Sequence, residues 1–340
     1  MTARNKRWLS LSALCLVAIS GFVNLVWQDM QWSLQTPIAL AAPEIFELEP
    51  GTSIAAVAER FTARGWIRRP EYLRLDARLH QQSARLQAGA YEIVSGETPR
   101  QIISKFVAGR VKVYQLTFAE GLRFADIQRL INEAPGLKLT LNGLAPAELI
   151  QRLNLTGPSP EGYFFPSTYF YHHNTTDREL LQRSHRKMTE VLSREWAHRA
   201  PGLPYASPAE ALVMASIIER ESARAAERPQ ISGVFVRRLE KGMKLQTDPT
   251  VIYGLGEQFD GNLRRADLES DTPYNTYTRK GLPPTPICLP GEDSIRAAMH
   301  PAAGDALYFV SRGDGSHVFS ATLVAHNAAV RKFQSGAASK

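Results

Sequence analysis

The first long apolar segment of the chain runs from Trp8 to Gln28 and contains no charged residue. Since a helix needs about 20 apolar residues to cross the hydrocarbon core of a membrane, this pattern predicts a transmembrane helix over residues 8–28. Tryptophans stand near both ends, where interfacial aromatic residues are expected. All the basic residues before Asp29 lie at positions 4–7, which predicts a cytoplasmic N-terminus over 1–7 and export of the remainder.

A cleaved signal peptide is the alternative for this segment. Ala39-Leu40-Ala41 is a small-x-small string of the kind that signal peptidase cuts. It lies about a dozen residues beyond the apolar segment, farther than signal peptides usually place it, so we predict a retained anchor. Residues 29–43 show no clear periodicity and are predicted to form a linker. In both interpretations the bulk of the chain lies outside the cytoplasm.

A pattern of strand, glycine turn and short helix then occurs three times, most faintly in its last copy. The copies cover residues 46–61, 90–106 and 114–131; glycine permits the turn, and a following Ser or Thr can cap the helix. The string SGET (95–98) in the second copy resembles the opening of a LysM module, a small fold that binds N-acetylglucosamine-containing glycans. This resemblance implies a LysM-like region over 44–110, and a spacer without glycan affinity is the alternative.

An aromatic string follows in a part of the chain that is otherwise rich in loop-forming residues. Six aromatic residues lie within the eleven residues from Glu161 to Tyr171, around a glycine and a proline. They could belong to the hydrophobic core, or they could line a surface on which sugar rings stack. The sequence leaves both interpretations open, and it predicts a helix from about Asp177 to His198 next.

The most apolar helix predicted in the exported part begins at Ser207, which is a good N-cap and is followed by proline. Residues 211–218 are apolar nearly all round, and such a helix is buried. Glu219 and Glu221 stand at its end on different faces, and periodicity does not choose between them. A glutamate on an apolar face should have a raised pKa, as a general acid at neutral pH requires. The alternative is a buried glutamate tied to a nearby arginine purely for structure.

The composition and the motifs that are missing exclude several other classes of protein. The net charge is +7, but the sequence contains no run of Lys and Arg with interleaved aromatic residues, and this weakens an interpretation as a nucleic-acid-binding protein. The two cysteines, Cys15 and Cys288, are far apart and exclude a disulfide scaffold. The adjacent histidines at 172–173 have no third ligand at a useful spacing, and H-E-x-x-H, G-x-S-x-G and nucleotide-binding strings are missing, so we predict no metal and no cofactor. We interpret His317 and His326 as structural residues.

A set of long strings carries a strong resemblance to one enzyme family. The strings are EGYFFPSTY (161–169), ASIIERE (215–221), LQTDPTVIY (245–253), RADL (265–268), YNTY (274–277), GLPP (281–284), HVF (317–319) and HN (326–327). In this order, and together with the anchor, they resemble the endolytic murein lytic transglycosylases, the single-pass membrane-bound type G family. The resemblance runs from about residue 45 to residue 330. One departure is Ser167, which stands where an acidic residue often precedes the Thr-Tyr pair.

The resemblance implies a fold and a set of site residues. The fold is α+β, with the transmembrane helix, the LysM-like region and a larger mixed catalytic domain over 111–336, whose core is 205–330 and whose buried helix carries the catalytic glutamate. That glutamate is Glu219, the first after the Ala-Ser-Ile-x string. The residues that match motifs around the family's cleft, and that we expect to bind substrate, are Glu161, Glu221, Gln246, Asp248, Tyr274 and Asn275. No metal site is implied.

The resemblance also implies a reaction and a location. The family cleaves the β-1,4 bond between N-acetylmuramic acid and N-acetylglucosamine in peptidoglycan strands and leaves 1,6-anhydro ends, because the C6 hydroxyl of the sugar replaces water. One glutamate can then act first as acid and afterwards as base. We expect an inner-membrane protein with its catalytic domain in the periplasm, which ends nascent strands near peptidoglycan synthases. The alternatives are a non-catalytic membrane-tethered scaffold and a water-using muramidase with a second carboxylate.

Overall fold

The computed structural model describes residues 3–222 and 224–334, and the chain divides into two compact units, Met1–Val113 and Tyr114–Lys340. The elements of the first unit are α1 (Ala3–Gln35), β1 (Glu44–Leu48), α2 (Ile54–Ala63), α3 (Pro70–Leu79), β2 (Gly89–Ile93) and α4 (Pro99–Val107). Helices and small sheets are mixed in both units, in agreement with the predicted α+β class.

Strand β3 (Val113–Phe118) leads into the second unit. The elements that follow are α5 (Phe124–Glu133), α6 (Pro146–Leu153), β4 (Ser167–His172), α7 (Asp177–Ala197), α8 (Pro208–Glu221), α9 (Arg228–Glu240), α10 (Asp248–Leu255), α11 (Arg265–Glu269), α12 (Glu292–Met299), β5 (Tyr308–Ser311), β6 (His317–Ser320) and α13 (Leu323–Gln334). Short 3-10 turns at Ala225–Glu227 and Gly256–Gln258 precede α9 and follow α10.

Helix α1 has two parts with different surroundings. Its segment Ser12–Gln35 is long and apolar enough to cross a membrane, and the side chains that the structure describes before Asp29 are exposed. Farther along the same helix, Met30 and Leu34 are buried in the core of the first unit. The helix therefore continues into the segment 29–43 that the sequence predicted as a linker, because one face of its last turns covers a hydrophobic core.

The first unit is built around an antiparallel pair of strands and a cluster of aromatic rings. Strands β1 and β2 pair with Phe46 opposite Tyr91, and the ring of Phe46 lies 5.5 Å from that of Phe61 and 5.3 Å from that of Phe106. A serine caps α2 and a threonine capping box begins α4. The first two predicted copies of the strand–turn–helix pattern are thus confirmed, and they share one core.

Helix α8 lies at the centre of the second unit. Residues 211–218 are all buried, and α7, α9 and α12 pack against the helix. Its N-terminus is capped by Ser207, whose hydroxyl accepts a hydrogen bond from the backbone N–H of Glu210. The predicted buried helix is confirmed, and Glu219 and Glu221 stand in its last turn.

The aromatic string from Glu161 to Tyr171 belongs mainly to the core. Strand β4 pairs with β3, and its alternation buries Tyr169 and Tyr171 while leaving Phe170 59% exposed. The other three aromatic side chains of the string are buried as well. The third, faint copy of the strand–turn–helix pattern is present as β3 and α5, but β3 pairs with β4 rather than with the strands of the first unit.

Candidate functional site

A cavity of about 540 Å³ opens in the second unit where six parts of the chain meet. These parts are the end of α8, α9, the loop that leads into α10 together with the first turn of α10, the loop between α11 and α12, the β5–β6 hairpin and α13. The polar side chains that line it include Glu221, Gln246, Asp248, Tyr277, His317 and His326. The cavity therefore brings together three of the predicted site residues, namely Glu221, Gln246 and Asp248.

Arg238 on α9 shapes the loop on one side of this cavity. Its Nε donates to the backbone carbonyl of Leu307 at 2.6 Å, and its Nη1 donates to the carbonyl of Leu245 at 2.8 Å. The same Nη1 lies 3.3 Å from Oε1 of Gln246, whose backbone has φ +53°. A non-glycine residue in this left-handed region costs of order 1–3 kcal/mol and persists where its surroundings hold it. Arg238 contributes that restraint together with a hydrogen bond from the backbone N–H of Gln246 to the carbonyl of Thr276 at 3.1 Å.

Glu221 is the carboxyl group of the cavity that is best suited to transfer a proton. Burial raises its pKa to about 7, and the neighbouring charge of Asp248 acts in the same direction. A hydrogen bond from the hydroxyl of Thr247 to Oε1 and the nearby His317 act against this rise. A carboxyl group with a pKa near 7 is partly protonated at neutral pH, so it can both give and receive a proton.

Asp248 and Tyr277 form a second polar pair in the same cavity. The phenol of Tyr277 donates to Oδ1 of Asp248 at 2.5 Å, and burial followed by this hydrogen bond raises the pKa of Tyr277. Asp248 stands in the first turn of α10, where the helix dipole favours a negative charge. The pair places a carboxylate beside Glu221 in the lining of the cavity.

His317 is held in one orientation by a carboxylate behind it. Its Nδ1 lies 2.7 Å from Oε2 of Glu227, and its backbone N–H donates to Oε1 of the same residue at 3.3 Å. With Nδ1 engaged in this way, Nε2 is the ring nitrogen left for other contacts. The histidine also lines the cavity.

Glu219 occupies a different environment from Glu221. Its Oε1 accepts a hydrogen bond from Nη2 of Arg228 at 2.9 Å, and its Oε2 accepts one from the backbone N–H of Gly291 at 2.9 Å. The side chains of Glu219 and Arg228 are only 5% and 7% exposed. Both oxygens of Glu219 are therefore engaged in a buried ion pair, and the residue is not among those that line the cavity.

Glu161 and Tyr274 also lie outside the cavity lining. Glu161 accepts a hydrogen bond from the backbone N–H of Phe124 at 3.0 Å and another from the phenol of Tyr253 at 3.1 Å. Burial raises its pKa to about 7, although both hydrogen bonds oppose the rise. The hydroxyl groups of Tyr274 and Thr285 are 2.8 Å apart. Glu161 and Tyr274, both predicted to bind substrate, therefore form hydrogen bonds with other groups of the protein.

Asn275 uses its side chain to shape the segment before Tyr277. Its Nδ2 donates to the backbone carbonyls of Asp267, Leu268 and Ser270, at 3.2, 3.0 and 2.6 Å. Its Oδ1 accepts from the backbone N–H of Tyr277 at 2.8 Å. Asn275 is 1% exposed, so it contributes to the site by holding Tyr277 and its neighbours in place.

Thr247, Tyr277 and His317 are among the residues of this arrangement that were not predicted as site residues. All three belong to strings that carried the family resemblance. A string does not show which of its side chains faces a cavity, since that depends on elements distant in sequence. Among the residues that the structure describes, no group of three or more His, Cys, Asp or Glu side chains could hold a metal ion.

The chain matches a family profile and is similar to known proteins that carry the name endolytic murein transglycosylase. The profile of the YceG-like family matches residues 46–332. An endolytic murein transglycosylase of Bacillus subtilis (strain 168) is 32% identical over 300 residues, which cover 83% of this chain and 82% of that protein. An endolytic murein transglycosylase of Streptococcus pneumoniae serotype 2 (strain D39) is 34% identical over 164 residues, but these cover 44% of this chain and only 28% of that protein.

The fold agrees as well. The crystal structure of a yceG-like protein from Listeria monocytogenes matches with a TM-score of 0.54 and 30% identity, covering 84% of this chain and 99% of that one. The family match begins within β1 and ends within α13, so it includes every residue of the cavity. The resemblance seen in the sequence strings is confirmed, and the chain belongs to the YceG-like family.

Proposed function

We propose that the cavity beside Glu221 is the active site of a peptidoglycan lytic transglycosylase, with Glu221 as its general acid and base. The observation that carries this proposal is the carboxyl group of Glu221, which lines the cavity and has a pKa of about 7 because it is buried. Glu219, which the sequence favoured for this role, is bound on both oxygens by Arg228 and Gly291. Its contacts suit a residue that holds the end of α8.

The relatives named endolytic murein transglycosylase, at 32% and 34% identity, support this reaction class. In the reaction, the bond between C1 of N-acetylmuramic acid and O4 of N-acetylglucosamine breaks. Glu221 gives its proton to the leaving O4, the C6 hydroxyl of the muramoyl residue attacks C1, and the hydroxyl proton passes to the Glu221 carboxylate. A tethered hydroxyl has a high effective molarity, so one glutamate can serve both steps. The product carries a 1,6-anhydro end, and no water is consumed.

Asp248 supports two readings of the chemistry. Its negative charge beside Glu221 would stabilise the positive charge that develops at C1 in an oxocarbenium-like transition state. The same carboxylate lines the cavity together with Glu221, which is the observation that favours a water-using muramidase as the second candidate function. The two candidates differ in product, an anhydro end against a reducing end.

The remaining parts of the chain complete the proposal. Helix α1 would anchor the protein in the inner membrane through Ser12–Gln35, with the basic residues at 4–7 keeping the N-terminus in the cytoplasm. The enzyme would then cut strands in the periplasm, near the synthases that make them, and end their growth. For the LysM-like region, we place glycan binding in a groove of about 240 Å³ that includes Thr52, Ser53 and Ser83.

Mass spectrometry of the products from purified glycan strands tests the proposal. The full-length protein in detergent would be compared with two variants at the same helix end, Glu221→Gln and Glu219→Gln. We expect 1,6-anhydro fragments from the wild type and a loss of about 10²–10⁴-fold in rate for Glu221→Gln, as is typical for a general acid. The Glu219→Gln protein should retain activity at temperatures where it is folded.

Each other outcome has a definite meaning. Activity in Glu221→Gln together with its loss in a folded Glu219→Gln protein would return the catalytic role to Glu219. Reducing ends would identify a muramidase and make Asp248 the first candidate for its second carboxylate. Failure of a well-folded wild type to cleave any strand would favour a glycan-binding scaffold.

A further inference from the structure

The side chain of Thr247 departs from the usual behaviour of a helix cap. Thr247 is the N-cap residue of α10, and threonine at this position normally accepts a hydrogen bond from a backbone N–H of the first turn. In this helix it makes no side-chain cap hydrogen bond. Its hydroxyl donates instead to Oε1 of Glu221, on a different helix. A local preference given up in this way is typical of functional sites.

The backbone of Thr247 is fixed by two further buried threonines. Its N–H donates to Oγ1 of Thr276 at 3.1 Å, and its carbonyl accepts from the hydroxyl of Thr250 at 2.8 Å. The hydroxyls of Thr250 and Thr276 are themselves 2.9 Å apart. Thr247, Thr250 and Thr276 are 2%, 0% and 3% exposed. The direction of the Thr247 hydroxyl is therefore set by a rigid network rather than by solvent.

The hydrogen bond from Thr247 makes the two oxygens of Glu221 unequal. Oε1 is occupied by the hydroxyl, and within residues 3–222 and 224–334 Oε2 accepts no hydrogen bond. Oε2 is thus the oxygen left to exchange a proton with a bound sugar. A carboxyl group that is free to rotate would present either oxygen, and part of its encounters with substrate would be unproductive.

We propose that Thr247 is a positioning residue of the transglycosylase, which holds Glu221 so that Oε2 serves the glycosidic oxygen and the C6 hydroxyl. This inference rests on the proposed catalytic role of Glu221. Because a donor to a carboxylate stabilises its ionised form, Thr247 also lowers the pKa of Glu221. The other charged groups that act on Glu221 are Asp248, which raises this pKa, and His317, which lowers it.

Two substitutions of Thr247 separate the hydroxyl from the bulk of the side chain. Thr247→Val keeps the shape and removes the donor, whereas Thr247→Ser keeps the donor. We expect Thr247→Val to lower kcat by about tenfold or more with little change in KM, since it removes a contact that acts on the reacting group. The basic limb of its pH–rate profile should move up by about one pH unit, because loss of the donor raises the pKa of Glu221. Thr247→Ser should restore both.

Thr250→Val supplies the comparison for simple loss of a buried hydroxyl. Thr250 belongs to the same network but makes no hydrogen bond to Glu221 within the described residues, so its substitution should lower Tm and move the basic limb less than Thr247→Val does. An unmoved limb in Thr247→Val, or no rescue by Thr247→Ser, would overturn the inference. Glu221→Gln is assayed alongside: if it stays active, the proposed function itself fails, whereas an inactive Glu221→Gln with an unmoved Thr247→Val limb refutes only the role of Thr247.

Discussion

Replacing Arg228 with methionine should destabilise the second unit strongly. Nη2 of Arg228 donates to Oε1 of Glu219 at 2.9 Å, and both side chains are almost fully buried. Without Arg228, the Glu219 carboxylate remains buried without a cation, which costs about 3–5 kcal/mol. For a domain of the size of Tyr114–Lys340, 1 kcal/mol shifts Tm by about 2–4 °C. We therefore expect the Tm of this unit to fall by about 6–20 °C.

A double-mutant cycle shows whether this loss comes from the unpaired charge. Glu219→Gln alone should cost less than Arg228→Met, because the amide oxygen can still accept from Arg228 or from the N–H of Gly291. In the double variant the site is neutral, so it should be more stable than Arg228→Met alone. We expect a coupling free energy of at least about 1 kcal/mol between the two positions.

Differential scanning calorimetry of the full-length protein measures these changes, since the two units can unfold as separate transitions. Arg224→Met is the matched control, because Arg224 lies near the same end of α8 but is exposed and donates to the backbone carbonyl of Asp314 rather than to a buried carboxylate. Equal Tm values for the two Arg→Met variants would refute the structural role of the ion pair. A double variant that only adds the two single losses would refute it as well.

Two further predictions concern the buried carboxyl groups and the end of α1. Glu161 and Glu221 have pKa values of about 7 in the folded protein against an ordinary 4.5, so the folded state binds protons more tightly. The contribution of these two groups to the free energy of unfolding should be greatest below about pH 4.5 and fall as the pH rises to about 7, by up to about 1.4 kcal/mol per pH unit for each group. Urea midpoints measured across this pH range test the prediction. A Glu161→Gln variant with the same pH dependence as the wild type would contradict it. Leu34→Ala should destabilise the first unit by about 2–5 kcal/mol because Leu34 is fully buried, whereas an unchanged calorimetric transition would restore the linker interpretation of 29–43.

Features that depend on local sequence could be predicted. The apolar N-terminal helix, the strand–turn–helix pattern and the buried helix α8 follow from periodicity and from capping residues such as Ser207, which act within a few positions. The end of α1 could not be predicted in the same way. Its buried face after Asp29 consists mainly of Met30 and Leu34. In the sequence, Met30, Trp32 and Leu34 alternate with polar residues, and this alternation does not indicate which helix face covers a core.

The hydrophobic periodicity of α8 could not show which of its two glutamates lines a cavity. Glu219 and Glu221 are two positions apart, so their side chains project about 200° apart round the helix. The hydrogen-bond partners of each carboxyl group come from segments distant in sequence: Gly291 lies 72 positions from Glu219, and Thr247 lies 26 positions from Glu221. The family strings contain both residues, and the resemblance assigned the acid to the first of them. We propose the second, on the contacts that each carboxyl group makes.

The separation of these two carboxylates by the helix is itself a requirement of the proposed chemistry. An adjacent cation opposes the rise in pKa that burial causes in a carboxyl group, because the cation favours the ionised form. Arg228 is directed to Glu219 by the geometry of α8 and α9, and the influences that lower the pKa of Glu221 are limited to a hydroxyl and a histidine. The end of α8 can therefore hold the Glu219–Arg228 ion pair on one side and, on the opposite side, a carboxyl group whose pKa of about 7 suits proton transfer.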